Sequence, residues 1–473
     1  MTNTVRTPDE RHNRMLPDIE LANALLGGSV SMRKAQEDYL PKNEAETDEK
    51  YSSRLKRSFL YNVFENTTDT MAGKPFSKDV TVQNVPDSMM ANLENIDRQG
   101  RDLTSFACDL LHQALSKGLT FILVEFPQAP AEGERSRQQE IDMGLSPYWV
   151  HIKPESMLGI DYDYYNGALV VHSLRILETY ESRGASFDRK TEEQVRVIYP
   201  DRFEVWRKAE AEWVMFEEGL RSVNKITLVP VYAKQVGPFA AKNLLKPLME
   251  KNLEHWQSSS EQRNILHVAR VPLLFGRGLR TIDDEGNPIK LTSDSIITSD
   301  SSDGDLKYVE HSGRAISSGE KDLETLENQM EALGAILLQA DETRTATAQR
   351  STDFKGNSKL HTVVGNLKSA LEQALAFSGD WINVKIDAEV TIFTEFSLIN
   401  PDFMTADDLL KAKMAGLISH KLYIEIMQRR GVFSSDIPSE DIVEEALEDI
   451  PSIEGIDDSI DDDETDGETD GSE

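Results

Sequence analysis

The stretch GEKDLETLENQMEALGAILLQ, residues 319–339, decides the fold of this chain. Its large apolar residues recur every three or four positions, at Leu323, Leu326, Met330, Leu333 and Leu337. A helix with this spacing buries a narrow stripe and keeps its other faces polar, as helices that pack against other helices do. We therefore predict a long helix over residues 319–340, and its narrow seam suits packing between copies of the chain.

A second long helix is predicted just upstream, over residues 239–268. Its apolar face is formed by Leu245, Leu248, Met249, Leu253 and Trp256. Between the two helices, residues 269–318 contain short apolar runs and a turn-rich segment with the acids Asp283, Asp284 and Glu285. Short apolar runs separated by Gly, Asp and Pro favour strands and turns. The pattern predicts a small β insert between two long helices.

Downstream of the second helix the apolar pattern stops and then resumes. Residues 341–355, DETRTATAQRSTDFK, are polar, rich in small side chains and without an apolar stripe, so they predict a loop. Residues 356–399 contain a helical stripe from Leu360 to Leu375, followed by an alternating segment at 384–396 that predicts a strand.

The first 238 residues predict a mixed body, and the fold class is α+β. Helical spacing occurs at 17–40, 47–73 and 102–117, and a continuous apolar run at 119–126 predicts a buried strand. Later apolar runs predict an antiparallel meander, with strands at 148–152, 168–178, 194–199, 202–206, 212–216 and 226–232.

Charge is concentrated at the C-terminal end. The chain has 51 Lys and Arg against 83 Asp and Glu, a net charge of −32. No Lys or Arg follows Arg430, and residues 434–473 hold 18 of the acids, which leaves −14 on residues 1–433. Residues 400–450 predict two short helices, and 451–473 predict a disordered acidic tail. So acidic a surface disfavours a conventional DNA-binding domain but allows DNA to slide past.

The sequence gives little support to other function classes. The chain has a single cysteine, Cys108, and no apolar run long enough to span a bilayer, so we expect a protein made and assembled in a cytoplasm. Gly73-Lys74-Pro75 lacks the hydroxyl residue of a phosphate-binding loop. The histidines show no metal-ligand spacing. We predict no catalytic residues, no metal site and no cofactor.

Several short motifs occur in an order that resembles a known family. They include Tyr39-Leu40-Pro41, Tyr51-Ser52-Ser53-Arg54, Asn95-Ile96-Asp97, Pro147-Tyr148-Trp149, and His255-Trp256 leading to Ser259-Ser260 and Asn264. The resemblance covers roughly residues 32–433. On these motifs the chain resembles the portal proteins of tailed bacteriophages, in the branch often described only as a phage family of unknown function.

The resemblance implies a portal fold and a ring, usually of about twelve copies, at one capsid vertex. An α/β wing would comprise residues 1–238, with a helix and strand at 356–399, and a long-helix stem would comprise 239–268 and 319–340. The clip would be 269–318, the tunnel loop 341–355 and the helical crown 400–450. Such rings package and eject the genome, and they bind the major capsid protein, terminase and the head–tail adaptor or tail proteins, without a membrane.

The resemblance also implies roles for particular residues. Arg344, Gln349, Arg350 and Lys355 of the tunnel loop would meet double-stranded DNA transiently in the channel. Asp283, Asp284 and Glu285 would lie on the docking surface of the clip. Pairing of Arg344 and Arg350 with nearby acids inside the ring is an equal alternative.

Two other function classes stay open. Another structural virion protein, such as a tail adaptor or scaffold-associated protein, would not require the order helix, β insert, helix, loop, helix. A carboxylate-dependent nuclease would cleave DNA in the presence of a metal, which the portal interpretation predicts to be absent.

Overall fold

The fold is α+β in a computed structural model, as the sequence predicts. The structure describes residues 4–127, 145–183, 188–210, 212–270, 273–277, 303, 305–309, 313–335, 359–394, 406–414, 423–424 and 426–427. The chain divides into two compact units, Met1–Phe396 and Ser397–Glu473. Within the described ranges, no helix combines the length and the apolar character needed to cross a membrane.

The first unit begins with four helices. They are α1 (Glu10–Leu26), α2 (Gly28–Ala35), α3 (Asp48–Arg57) and α4 (Val63–Gly73). The single helix predicted over 47–73 is wrong, because Ser58 takes an extended conformation with ψ 139° and ends α3. Asn62 then starts α4 by accepting a hydrogen bond from the Glu65 amide. Polar capping side chains of this kind compete with the helix interior for backbone groups.

The next elements lead into a buried three-stranded sheet. They are β1 (Thr81–Gln83), α5 (Asp87–Leu93), α6 (Leu103–Lys117), β2 (Leu119–Glu125) and β3 (Tyr148–Ile152). Helix α6 is capped by Asp102 and ends at Gly118, whose φ of +88° is strained for any other residue. Strand β2 is central and nearly fully buried, which explains its continuous apolar run.

An antiparallel meander of five strands follows. It contains β4 (Met157–Tyr165), β5 (Ala168–Arg183), β6 (Arg189–Ile198), β7 (Arg202–Ala209) and β8 (Glu212–Leu220), hydrogen-bonded in chain order. The prediction of a meander is confirmed for β5, β6, β7 and β8, all of which are longer than predicted, whereas β4 was not predicted. The strand predicted at 148–152 is β3 and pairs with β2, outside the meander. The strand predicted at 226–232 does not join the meander either. It forms β9 (Leu228–Tyr232), which pairs with β2 in the three-stranded sheet.

A short hairpin then leads into the long helices. It consists of β10 (Gln235–Gly237) and β11 (Ala240–Ala241). The remaining elements of the unit are α7 (Lys246–Ala269), β12 (Leu273–Arg277), β13 (Asp305–Val309), α8 (Arg314–Gly334), α9 (Lys359–Trp381) and β14 (Glu389–Thr391). Within the described residues, the strand predicted at 384–396 corresponds to β14, which has three residues and pairs with β1.

The main core of the first unit collects the apolar faces of helices α1, α4, α6, α7, α8 and α9 around one face of β2 and β9. The second unit contains α10 (Ala406–Met414), where Leu409 packs with Ile426 and Met427. Most of the predicted crown, at 400–450, and the whole predicted tail lie outside the described residues.

Candidate functional site: a helix–hairpin–helix arm

Helices α7 and α8 and the β-hairpin between them form one unit, which we call the arm. Helix α7 has 24 residues and α8 has 21, so they are about 36 and 32 Å long at 1.5 Å per residue. The predicted order of helix, β insert and helix is present. The bounds differ, because the chain before Lys246 forms the β10–β11 hairpin and because α8 starts at Arg314, inside the predicted clip.

The hairpin of the arm is antiparallel, with Leu273 opposite Val309 and Arg277 opposite Asp305. Lys307 lies over the ring of Phe275, at 5.8 Å from its centroid. The predicted docking acids Asp283, Asp284 and Glu285 lie outside the described residues, so their place on the clip stays a prediction.

Helix α7 buries an unusual number of polar side chains. Asn252, His255, Ser259, Ser260 and Gln262 are all less than 9% exposed. Buried polar groups are costly unless hydrogen-bonded, so each contact fixes the helix at a specific place. Sequence reasoning did not assign these residues a role, although several belong to the motif that carried the family resemblance.

Asn252 joins α7 to the start of α4. Its Oδ1 accepts a hydrogen bond from the Phe64 amide at 2.9 Å, and its Nδ2 donates to the Tyr61 carbonyl at 2.9 Å. Asn252 is fully buried. Both backbone groups belong to the turn where the predicted helix breaks, so this side chain replaces the helical hydrogen bonds that are missing there.

Ser260, two turns further along α7, joins a polar network with α3. The Ser58 hydroxyl donates to Ser260 Oγ at 2.7 Å, and Arg54 is buried beside them. Arg54 Nε and Nη2 contact the two oxygens of Glu46 at 2.9 and 2.7 Å. These hydrogen bonds lower the pKa of the Glu46 carboxyl and raise that of the Arg54 guanidinium.

The two helices of the arm are joined by further polar contacts. His255 Nε2 lies 3.3 Å from Glu327 Oε1, and Gln262 Nε2 donates to the Ile316 carbonyl at 2.9 Å. A Cβ atom on Gly319 would stand 2.1 Å from Gln262 Oε1. An alanine here would displace the end of the Gln262 side chain and so disturb its hydrogen bond to Ile316.

The apolar seam of α8 is used within one chain. Leu326 is 3% exposed and Met330 is fully buried, while Leu323 and Leu333 are half-buried and Leu337 lies outside the described residues. Met330 and Leu333 belong to the main core. The interpretation that this seam packs between copies is wrong for Leu326 and Met330, because the body of their own chain already covers them.

The predicted tunnel loop is bracketed by described helices. Helix α8 ends at Gly334 and α9 begins at Lys359. The predicted DNA-contacting residues Arg344, Gln349, Arg350 and Lys355 lie between these ends, outside the described residues. Their contact with DNA stays a prediction.

Reactive chemistry has little support in the described part of the chain. No group of three His, Cys, Asp or Glu side chains there is arranged to hold a metal ion. Burial raises the pKa of the Cys108 thiol, which keeps it protonated and a poor nucleophile at neutral pH. What the arm offers is a pair of long helices fixed to the rest of the unit by buried polar contacts.

Comparison with known proteins adds one sequence family and several structures. Residues 245–382 match the family described as "Domain of unknown function (DUF4055)", a range that includes the arm and α9. No curated protein matches the chain.

Among solved structures, the chain is similar to one described as the virion of a native gene transfer agent (GTA) particle, with 11% identity and a TM-score of 0.36. It is similar to chains in the neck of the empty particle, computed with C6 symmetry, and of the native particle, computed with C12 symmetry. Those two matches have 11% and 10% identity and TM-scores of 0.36 and 0.35. Each of the three covers 77% of this chain and 89% of the other.

Proposed function

We propose that this chain is the portal subunit of a tailed-phage-type particle. It would assemble into a ring of about twelve copies at one capsid vertex, around a channel for double-stranded DNA. Terminase would dock on the ring during packaging, and adaptor or tail proteins would replace it. The major capsid protein would surround it. The subunit would act through its shape and would catalyse no reaction.

The observation that carries this proposal is the arm. Two antiparallel helices of about 36 and 32 Å pack against each other, and a small antiparallel strand pair lies between them in the chain. Buried polar contacts of Asn252 and Ser260 hold the arm at a defined position on the body, and Gln262 joins its two helices. A channel wall built from repeated copies needs such a rigid element, because every copy must present the same surface.

The charge of the chain is compatible with a DNA channel. A net charge of −32 repels phosphates at long range, so DNA can pass without strong attachment. A protein that grips DNA would instead require a broad basic surface.

The deciding experiment is native mass spectrometry with electron microscopy of the purified full chain. The expected result is closed rings of about twelve copies of the 53.2 kDa chain, with a central hole. A species that stays monomeric or dimeric at every concentration and ionic strength would refute the proposal. So would cleavage of DNA in the presence of Mg²⁺ or Mn²⁺.

The tunnel-loop prediction has its own test. Charge reversal of Arg344 and Arg350 together should reduce DNA packaging or retention in assembled particles, because both would face phosphate in the channel. Unchanged packaging and retention would rule out these contacts and favour pairing with acids inside the ring.

A further inference from the structure

One edge of the five-stranded meander is free among the residues that the structure describes. The strands are hydrogen-bonded in the order β4, β5, β6, β7 and β8, so β8 has a described neighbour on one side, β7. The pairing runs from Glu212, opposite Ala209, to Leu220, opposite Arg202. The backbone groups on the other side of β8 bond to no described strand. An open row of N–H and C=O groups can accept one more strand.

Strand β8 also exposes large apolar side chains. Val214, Met215 and Phe216 are 44%, 50% and 58% exposed, and Leu220 is 84% exposed. Successive side chains of a strand point to opposite faces of the sheet, so Val214 and Met215 lie on different faces. Consecutive exposed apolar residues on an open edge indicate a contact surface. An added strand would cover side chains on both faces.

The exposed ring of Phe216 is held in place by its own sheet. Arg207 of β7 contacts two rings, with its guanidinium carbon 3.6 Å from the centroid of Phe216 and 4.0 Å from that of Tyr180. Arg207 Nε also donates to Gln194 Oε1 on β6 at 3.1 Å, which fixes the guanidinium. The ring is therefore ordered before any partner binds, which reduces the entropy lost on binding.

A β-bulge divides β8 into two regular stretches. The register skips Phe216, because Met215 and Glu217 face consecutive residues of β7. Bulges limit how far an open edge can pair with a long, flat strand. Residues 212–215 and 217–220 keep regular pairing on either side of the bulge. We therefore expect the added strand to be short.

The charged side chains of β8 are all acidic. Glu212, Glu217 and Glu218 are exposed, and none of them forms an ion pair with another residue that the structure describes. The strand itself contains no Lys or Arg, and Lys208 on β7 contributes one exposed cation against these three acids. Opposite charges directly across two strands stabilise the pairing and like charges destabilise it. The edge therefore favours a cationic strand.

Pairing of this edge with a second copy of the chain is disfavoured by like charges. Two β8 strands side by side would bring together the acids of both copies, including Glu217 and Glu218. The strand at the other edge of the meander, β4, carries Asp161 and Asp163 and no Lys or Arg. The His172 ring lies 3.5 Å from Asp163, but Asp161 has no ion-pair partner in the described part of the chain. A different, cationic protein therefore fits the edge of β8 better than another copy does.

We propose that the free edge of β8 binds a short extended segment of another protein by β-strand addition, and that this segment alternates Lys or Arg with apolar side chains. Main-chain hydrogen bonds to β8 would supply affinity, and cations near Glu217 and Glu218 would supply specificity. The inference does not rest on the proposed ring, because a single copy carries the whole surface. In a ring, every copy would present the same edge.

The first test measures binding of a fluorescein-labelled synthetic peptide that alternates lysine and valine to the full chain, by fluorescence anisotropy. A peptide that alternates glutamate and valine should not bind. The double variant Glu217→Lys, Glu218→Lys should weaken binding of the lysine peptide by about tenfold or more, because like charges then face each other. The matched control Glu37→Lys, Asp38→Lys reverses two consecutive exposed acids that follow α2 and should leave binding unchanged. No binding to the wild-type chain, or equal weakening in both variants, would overturn the proposal.

Hydrogen exchange distinguishes strand addition from general attraction between charges. The lysine peptide should slow amide exchange in residues 212–220 of β8 and leave residues 157–165 of β4, at the opposite edge, unchanged. Binding without slower exchange in β8 would overturn the proposal. The same holds if every amide of β8 is already protected in the free chain, because the edge would then be occupied by another part of the protein.

Discussion

Replacement of Asn252 by leucine should strongly destabilise the junction between the arm and the body. The asparagine is fully buried, and its side chain satisfies two backbone groups, the Phe64 N–H and the Tyr61 carbonyl. Leucine has the same branched arrangement of side-chain heavy atoms but can neither accept nor donate a hydrogen bond. The substitution therefore leaves both backbone groups without their partner inside the core.

The expected loss in the free energy of unfolding follows from those two backbone groups. An unsatisfied buried donor or acceptor costs about 1–3 kcal/mol, so two should lower the free energy of unfolding by about 2–5 kcal/mol once some relaxation is allowed.

The assay is urea unfolding followed by tryptophan fluorescence at one fixed protein concentration, since assembly would shift the midpoint. Trp256 is fully buried one turn after Asn252 and should report this region. Asn264→Leu provides a matched control on the same helix, because Asn264 is half-buried and its side chain accepts a hydrogen bond from the Arg57 side chain, at 3.3 Å. It should cost less than about 1 kcal/mol. An Asn252→Leu variant within about 0.5 kcal/mol of wild type, or a control that costs as much, would refute the reasoning.

Three further predictions concern the arm and the body. Met330→Ala should lower the free energy of unfolding by about 2–5 kcal/mol in urea denaturation, because Met330 is fully buried, and half-buried Leu323→Ala should cost clearly less. Gly365→Ala, with open space at its Cβ, should raise the melting temperature through helix propensity. Gly319→Ala should not, because its Cβ meets Gln262 at 2.1 Å, and equal shifts for both variants would contradict this contact. Burial lowers the pKa of His151 to about 3. Between about pH 3 and about pH 6.5, the imidazole is therefore protonated in the unfolded chain but neutral in the folded chain. Its contribution is fully present above about pH 6.5 and is lost as the pH falls, by about 1.4 kcal/mol per unit, so His151→Gln should flatten the decline of stability between pH 7 and 5. An unchanged slope in this variant would show that His151 does not contribute.

Local patterns identified most of the helices and strands. The seam around Met330 predicted α8, and helical spacing at 102–117 predicted α6. These predictions succeeded because helical and strand periodicity follow from neighbours a few residues apart in the chain. Where the prediction was wrong, at Ser58–Asn62, the helix was broken by a polar contact with Asn252, which lies far away in sequence.

The sequence by itself determined that this chain is α+β, strongly acidic, and built around two long helices with a β insert between them. The tertiary structure decided how those parts are used. It placed β9 beside β2, turned the seam of α8 towards its own core, and anchored α7 through buried polar groups. These features depend on contacts between residues distant in the chain, whereas periodicity records only near neighbours, so no local pattern could have revealed them.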